Sequence, residues 1–262
     1  MKKNFLSIII VSLNDKKNFL KTLKSILNQK NRNYEIIVVD GMSSDGTLDL
    51  IKKYKNKISK TIIEKDAGIY HAMNKGIKIS DSIWTIFMNC GDIFYNNKIL
   101  KIFNEKNYID HDIVFGNTII SNKFYKVFIK GKYFSKKTVL MPFCHQSSFV
   151  KTKFLKKINF NIKYKLSADF NFFLKAYNMK KNFVYFDQKI SVVKPGGVSD
   201  IFRHKVINEN MVIFFNQNSY KNIVKLLLIK LIDKIKQLIK YFLPIKIIYG
   251  LIELKHNGFS LK

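Results

Sequence analysis

The sequence is nearly devoid of arginine: Arg32 and Arg203 are the only two among 47 basic residues, and lysine supplies the rest. Readers of nucleic-acid sequence depend on arginine forks and clustered basic motifs, so a nucleic-acid partner is not expected despite a net charge of +29. Two cysteines, Cys90 and Cys144, are too few for a disulfide scaffold and lack metal-type spacing, which fits a reducing, cytoplasmic compartment. No uncharged apolar run reaches the roughly 18 residues of a membrane span. The apolar stretch after Met1-Lys2-Lys3 has strand length and no small-residue cleavage site, so neither a signal peptide nor a transmembrane helix is expected. The lysine excess is either a drifted, solvated surface or an adaptation to an anionic membrane, where each nearby lysine contributes about 1 kcal/mol.

With 262 residues, 47% apolar, and three prolines, the chain can bury one sizeable core without a break into two full domains. Short β-branched runs alternate with helix-period segments over the first 115 residues, the pattern of a parallel sheet wound by right-handed crossovers. Strands are expected at Phe5 to Ser12, Tyr34 to Asp40, Thr61 to Glu64, Ile83 to Met88 and Ile113 to Phe115. Helices are expected at Lys16 to Asn28, Gly46 to Tyr54 and Ala72 to Ile79. A hairpin follows within Asn117 to Lys132, then helices near Lys151 to Ile158 and Ala168 to Met179. The fold class is α/β, and ligands of such sheets sit beyond the carboxyl ends of the strands.

Polar residues collect at those ends: Ser12 and Asn14; Asp40, Gly41, Ser43, Ser44 and Asp45; Asp66; Asn89, Gly91 and Asp92. Each cluster alone reads as a turn or helix cap, and Ser43 to Gly46 is a good helix start. Their coincidence on one sheet edge points to a site. The catalytic unit is expected to span 1–219, with 220–262 as a basic helical tail. In that tail Leu227, Leu231, Ile235, Leu238 and Phe242 share one face, and a break falls at Pro244. The stripe suits an interfacial amphipathic helix on an anionic membrane surface, or a helix packed on its own domain.

Three segments carry a resemblance. They are Glu35 to Thr47 with Asp66 to Gly76, then Phe87 to Asp92, and then Phe143 to Ser147 with Leu166 to Phe170 and Gly196 to Ser199. Together they resemble the family 2 glycosyltransferases with the GT-A fold, especially the branch found in colanic-acid and O-antigen gene clusters. The resemblance spans roughly residues 5 to 200. It implies a nucleotide-sugar donor held by Ser12, Asn14, Asp40, Gly41, Ser43 and Asp66, with Lys75 near a phosphate or simply on a helix surface. It implies a divalent cation, Mg²⁺ or Mn²⁺, at Asp92, the last carboxylate of the family's Asp-x-Asp, although Cys90 stands where its first carboxylate would be. Asp169 matches the catalytic base, and a helix start gives it a capping role as well. His145 and Gln146 are implied near the donor sugar or acceptor, with His145 either a metal ligand or a loop-orienting group. Gly196 and Gly197 are expected to form either a tight turn over the site or an ordinary strand-ending turn. His71 occupies a position often acidic in relatives.

The implied activity is inverting, metal-dependent sugar transfer to an undecaprenyl-diphosphate-linked glycan on the inner face of the cytoplasmic membrane. A sugar nucleotidyltransferase would want a glycine-rich phosphate loop after the first strand, where Ser12-Leu13-Asn14-Asp15 stands instead. A non-catalytic anionic-surface binder would leave Asp40, Asp66, Asp92 and Asp169 without a purpose.

Overall fold

The computed structural model describes residues 5–242. In chain order the elements are β1 (Leu6–Ser12), α1 (Lys16–Leu27), β2 (Tyr34–Asp40), α2 (Thr47–Lys53), β3 (Lys60–Ile63), α3 (Ile69–Ile79), β4 (Trp84–Phe87) and β5 (Ile93–Phe94). There follow α4 (Ile99–Glu105), β6 (Ile113–Ser121), β7 (Lys126–Ile129), β8 (Ser148–Lys151), α5 (Thr152–Ile158) and α6 (Ala168–Asn178). The last are β9 (Phe183–Val193), α7 (Val198–Ile201), α8 (Arg203–Phe215) and α9 (Tyr220–Phe242). A 3-10 turn, His145–Ser147, leads into β8.

One sheet runs β3-β2-β1-β4-β8-β6-β9-β5, with β7 paired to β6. Strands β3, β2, β1 and β4 are mutually parallel, as the alternation of the first 115 residues predicts. Beyond these strands the sheet is mixed: β8 joins β4 and β6 antiparallel, β5 joins β9 antiparallel, and β6 and β9 are parallel. Strand β6 extends to Ser121, well past the expected Phe115, and pairs with β7 to make the expected hairpin. Helix α4, strand β9 and helix α8 were not signalled.

Period-two alternation in β1 and β2 divides the core. Ile9, Val11, Ile37 and Val39 face a layer containing Met73 of α3, Phe170 and Phe173 of α6, and Phe214 of α8. Ile8, Ile10, Ile36 and Val38 face Phe19 and Leu23 of α1, Ile51 of α2 and Phe103 of α4. Both faces of the strands are therefore dry, which explains their near-continuous apolar sequence. The backbone must then leave the sheet with its polar residues at strand ends, and the carboxyl ends of β1, β2, β3 and β4 lie side by side.

The C-terminal helices form a hairpin. Leu226 of α9 is fully buried, and Ile223 and Ile229 pack on the same core layer, so α9 adheres to the rest of the fold. Leu227, Leu231, Ile235 and Leu238 are exposed, on a different face. The side chain of Phe242 and the break at Pro244 lie outside the described residues. Among the described residues no helix is long and apolar enough to cross a membrane.

Candidate active site

Asp169 lies in the first turn of α6, beside the strand ends. Its Oδ1 accepts a hydrogen bond from the Tyr70 hydroxyl of α3 at 2.9 Å and from the Phe170 backbone N–H at 2.8 Å. Its Oδ2 lies 3.0 Å from His145 Nδ1, and both side chains of this pair are 14% exposed. Burial alone would raise the carboxyl pKa. The His145 and Tyr70 hydrogen bonds outweigh it and hold Asp169 below the ordinary aspartate value. The result is a carboxylate kept ionised while nearly dry. The other ring nitrogen, His145 Nε2, is 3.3 Å from Asn89 Nδ2. Nδ1 can donate to Asp169, and Nε2 lies within reach of the Asn89 side-chain amide. Both nitrogens are thus engaged, and the loop-orienting alternative for His145 fits this geometry better than a metal-ligand role.

Buried hydroxyls hold that histidine. Ser147, two residues on, is linked to Thr118 of β6 at 2.7 Å, to the Asn117 carbonyl at 3.0 Å and to Ser191 of β9 at 2.7 Å. The Ser148 hydroxyl donates back to the His145 carbonyl at 2.7 Å. A polar network that is fully satisfied fixes geometry, and this one pins the 3-10 turn to the middle of the sheet.

Asp92 sits across the turn after β4. Gly91 takes φ +98°, a left-handed value that glycine adopts without strain, and the turn closes through the Asp92 N–H to the Asn89 carbonyl at 2.9 Å. Thr22 of α1 accepts from the Gly91 N–H at 2.9 Å and donates to the Asp92 carbonyl at 2.8 Å. Gln146 Nε2 donates to Asp92 Oδ2 at 3.1 Å, so the two neighbouring residues His145 and Gln146 grip the two key carboxylates. Burial dominates at Asp92 and pushes its pKa up to about 6, against the opposing charge of His145 and the Gln146 bond.

A divalent cation finds one carboxylate here. Cys90, at the position of the missing first carboxylate, donates its thiol to the Val11 carbonyl at 3.3 Å. Burial raises its pKa to about 12, with Asp15, Asp92 and Asp40 adding to the effect, so it stays a neutral thiol and is no ligand for a hard cation. Among the described residues no cluster of three or more His, Cys, Asp or Glu could hold a metal. The residues fit a cation only if the phosphates of a bound donor complete its shell, with Asp92 as the protein ligand.

The nucleotide-side residues form one interlocked corner. Asp40 is fully buried, and its oxygens accept from the Ser43 N–H at 2.7 Å and the Ser43 hydroxyl at 2.8 Å. Ser43 Oγ accepts from the Asn14 N–H at 2.7 Å, and Asn14 Oδ1 accepts from the Ser44 N–H at 2.7 Å. The Gly41 N–H donates to the Ser12 carbonyl at 2.9 Å, and a side chain at Gly41 would meet Asp66 Oδ2 at 3.4 Å. Ser12, Asn14, Asp40, Gly41, Ser43 and Asp66 are therefore brought together at the ends of β1, β2 and β3. Asp40 serves as the buried brace of this corner, and Asp45, which accepts from the Thr47 N–H at 3.0 Å, starts α2 as expected.

Lys75 is less available than the sequence suggested. Its ammonium is 2.7 Å from Asp66, 3.0 Å from Glu64 and 2.8 Å from the Lys65 carbonyl, so it braces Asp66. Beside it opens a groove of about 730 Å³ lined by Lys65, His71, Lys75, Lys78 and Lys156, and neither Asp92 nor Asp169 lines it. Gly196 takes φ +83° and its N–H donates to Asp200 at 3.1 Å, so the expected turn at Gly196 and Gly197 is present. It reaches the site's rim through Lys194, whose ammonium is 2.7 Å from Asn18, the side chain beside Gly91.

Two residues of this assembly escaped the sequence reading. Tyr70 lies inside the Gly-Ile-Tyr motif and was legible there as a conspicuous aromatic. Glu209 of α8 had no signal: its carboxylate accepts from the backbone N–H groups of Lys165, Leu166 and Ser167, each at 2.9 Å, clamping the loop that delivers Asp169.

Comparison with known proteins agrees with this geometry. The profile of glycosyl transferase family 2 matches residues 7–182. A PGL/p-HBAD biosynthesis glycosyltransferase of Mycobacterium bovis is 26% identical over 183 residues, covering 66% of this chain and 69% of its own. An uncharacterized glycosyltransferase of Methanocaldococcus jannaschii is 28% identical over 193 residues, covering 67% and 66%. Among solved structures, S. aureus TarS 1-349 in complex with UDP-GlcNAc superposes with a TM-score of 0.61 at 19% identity, over 85% of this chain and 71% of that one. The mannosyltransferase PcManGT from Pyrobaculum calidifontis, in complex with GDP-Man and Mn²⁺, superposes with a TM-score of 0.63 at 13% identity, over 86% and 69%. At such identities the two structures speak for the fold, which is GT-A. With its profile match covering most of the chain, this protein belongs to glycosyl transferase family 2 and is a glycosyltransferase.

Proposed function

We propose that this glycosyltransferase is inverting and metal-dependent, and that it moves one sugar from a nucleotide-sugar donor to a lipid-linked oligosaccharide during assembly of a bacterial surface polysaccharide. The observation that carries the reading is Asp169, a nearly dry carboxylate kept ionised by His145 and Tyr70 beside the strand ends. In the proposed step the acceptor hydroxyl attacks the anomeric carbon, Asp169 takes its proton, and the nucleoside diphosphate departs with the bonding electrons. His145 and Tyr70 orient the carboxylate and lower its pKa, while Gln146 does the same for Asp92. The hydrogen-bonding partners of Asp169 include no second carboxylate that would form a glycosyl-enzyme, which supports inversion.

A divalent cation bound by Asp92 and the donor phosphates would neutralise the charge that develops on the leaving group. Its proposed presence is supported by the Mn²⁺ in the mannosyltransferase relative by fold and by the single, well-buried carboxylate here. Ser12, Asn14, Asp40, Gly41, Ser43 and Asp66 are proposed to form the nucleoside side of the pocket, with Lys75 bracing Asp66. Gly196 and Gly197 would border the donor-sugar and acceptor side with His145 and Gln146. The acceptor fitting the resemblance is an undecaprenyl-diphosphate-linked glycan, met at the cytoplasmic face of an anionic membrane.

The test is a panel of UDP-, GDP- and dTDP-sugars scored for nucleoside diphosphate release, with Mg²⁺ or Mn²⁺ and with chelator, for wild type and Asp169→Asn. Metal-dependent release from one donor class that falls with Asp169→Asn is expected. No release from any donor, even with lipid-linked glycan added, would overturn the reading in favour of a surface-binding protein.

A further inference from the structure

Helix α9 has two apolar faces, and the fold covers one. Leu226, Ile223 and Ile229 meet the catalytic unit, and the same side carries the Arg203–Asp233 ion pair at 2.7 Å and the Lys230–Asn208 contact at 2.8 Å. At about 100° per residue these positions share one side of the helix. Val224, Leu227, Leu228, Leu231, Ile235 and Leu238 fall on the opposite side and are 47–65% exposed. Exposed lysines border that outer arc, Lys221 and Lys236 on one flank and Lys234 on the other.

We propose that the outer face of α9 is a membrane-contacting surface that lies in the headgroup region of an anionic bilayer. Charge complementarity selects this occupant. An apolar arc edged by lysines on a chain of net charge +29 places its side chains in the acyl boundary and its ammonium groups at lipid phosphates. A second copy would set these lysine borders against each other, and a nucleic acid would leave the apolar arc in water. The seat is also connected to the chemistry. α9 packs on α8, and Glu209 of α8 holds the 165–167 loop that leads into Asp169. A lipid-linked acceptor would then be met by a catalytic loop braced from the membrane side. This deepens the proposed acceptor class and rests on that reading for its purpose, though not for its measurement.

The experiment is co-sedimentation of the full chain with phosphatidylcholine vesicles and with vesicles containing about one third phosphatidylglycerol, without donor or acceptor. Two variants are compared, Leu227→Ser with Leu231→Ser and Ile235→Ser, and Lys221→Glu with Lys234→Glu and Lys236→Glu. Far-UV circular dichroism and donor-dependent nucleoside diphosphate release serve as folding controls, since all six positions face solvent. Binding to the anionic vesicles alone is expected, weakened at least about tenfold by either variant. Unchanged binding in the apolar variant, or equal binding to neutral vesicles, would overturn the proposal. So would a solution dimer that the apolar variant dissociates in the absence of vesicle binding. Loss of nucleoside diphosphate release with vesicle binding intact would instead count against the transferase chemistry alone.

Discussion

Asp169 is the point on which three separate parts of the chain converge: Tyr70 from α3, His145 from the turn before β8, and the first turn of its own helix. Replacing it by asparagine keeps the shape and removes the proposed base, so turnover should fall by about 10²–10⁴ with donor affinity little changed. His145→Ala leaves the carboxylate buried without its main partner. The Asp169 pKa then rises, and the acid limb of the kcat/KM profile should move to higher pH, whereas a purely structural histidine would lower the plateau without moving the limb. The same pair bears on stability. A carboxylate depressed below its unfolded value stabilises the fold above about pH 4 and loses that contribution as pH falls through the folded pKa. Asp92 behaves in the opposite sense, because its pKa is raised to about 6. Its ionisation opposes folding increasingly as pH climbs from about 4 to 6. Asp92→Asn should therefore raise the unfolding free energy of the ligand-free protein at pH 7.5 by on the order of 2 kcal/mol, seen as a higher melting temperature, with the gain vanishing near pH 4. Mn²⁺ with a nucleoside diphosphate should stabilise wild type and leave Asp92→Asn unshifted, as scanning calorimetry would report.

At the scale of elements, the parallel half of the sheet was readable because β1, β2 and β4 are dry on both faces, and its helices because one apolar face recurs at helical spacing between turn residues. Tyr34–Asp40 was placed to the residue, and α1, α2 and α5 to within one at either end. The antiparallel half was less legible. β8 has four residues, and its pairing with β4 and β6 is a contact distant in sequence that no local pattern encodes. Helix α8 has the same character: its function depends on Glu209 meeting three N–H groups more than forty residues earlier. Removing that carboxylate with Glu209→Ala should free the 165–167 loop and lower kcat about tenfold while leaving donor KM within about twofold. Glu209→Gln, which can accept from the same donors, should recover part of the loss in a steady-state assay. A KM effect of equal size would instead assign Glu209 to donor binding.

For the whole molecule, the charge of +29 is a long-range property that salt can address. The Debye length shortens from about 10 Å at 0.1 M to about 3 Å at 1 M salt, so transfer to a vesicle-embedded acceptor should fall steeply across that range. Nucleoside diphosphate release in solution, which depends on buried groups, should change little. Parallel assays with and without vesicles would separate the two.

The amino-acid sequence by itself determined the α/β class, because periodicity is a local property, and its motif order, through the family resemblance, pointed to the strand ends and to Asp92, Asp169, His145 and Gln146, which the fold brings together. It left Asp40 poised between a cap and a ligand, Lys75 between a phosphate and a surface, and the C-terminal stripe between a membrane and the domain. Each depends on what stands across from the side chain, and that is set by tertiary structure. Asp40 is enclosed by Ser43, Lys75 is held by Asp66 and Glu64, and α9 turns Leu226 inward while leaving Leu227 and Leu231 outside. The pairing of His145 with Asp169 is of the same kind. Twenty-four residues of chain separate the two, and only the folding of β8 against β4 and β6 sets them 3.0 Å apart.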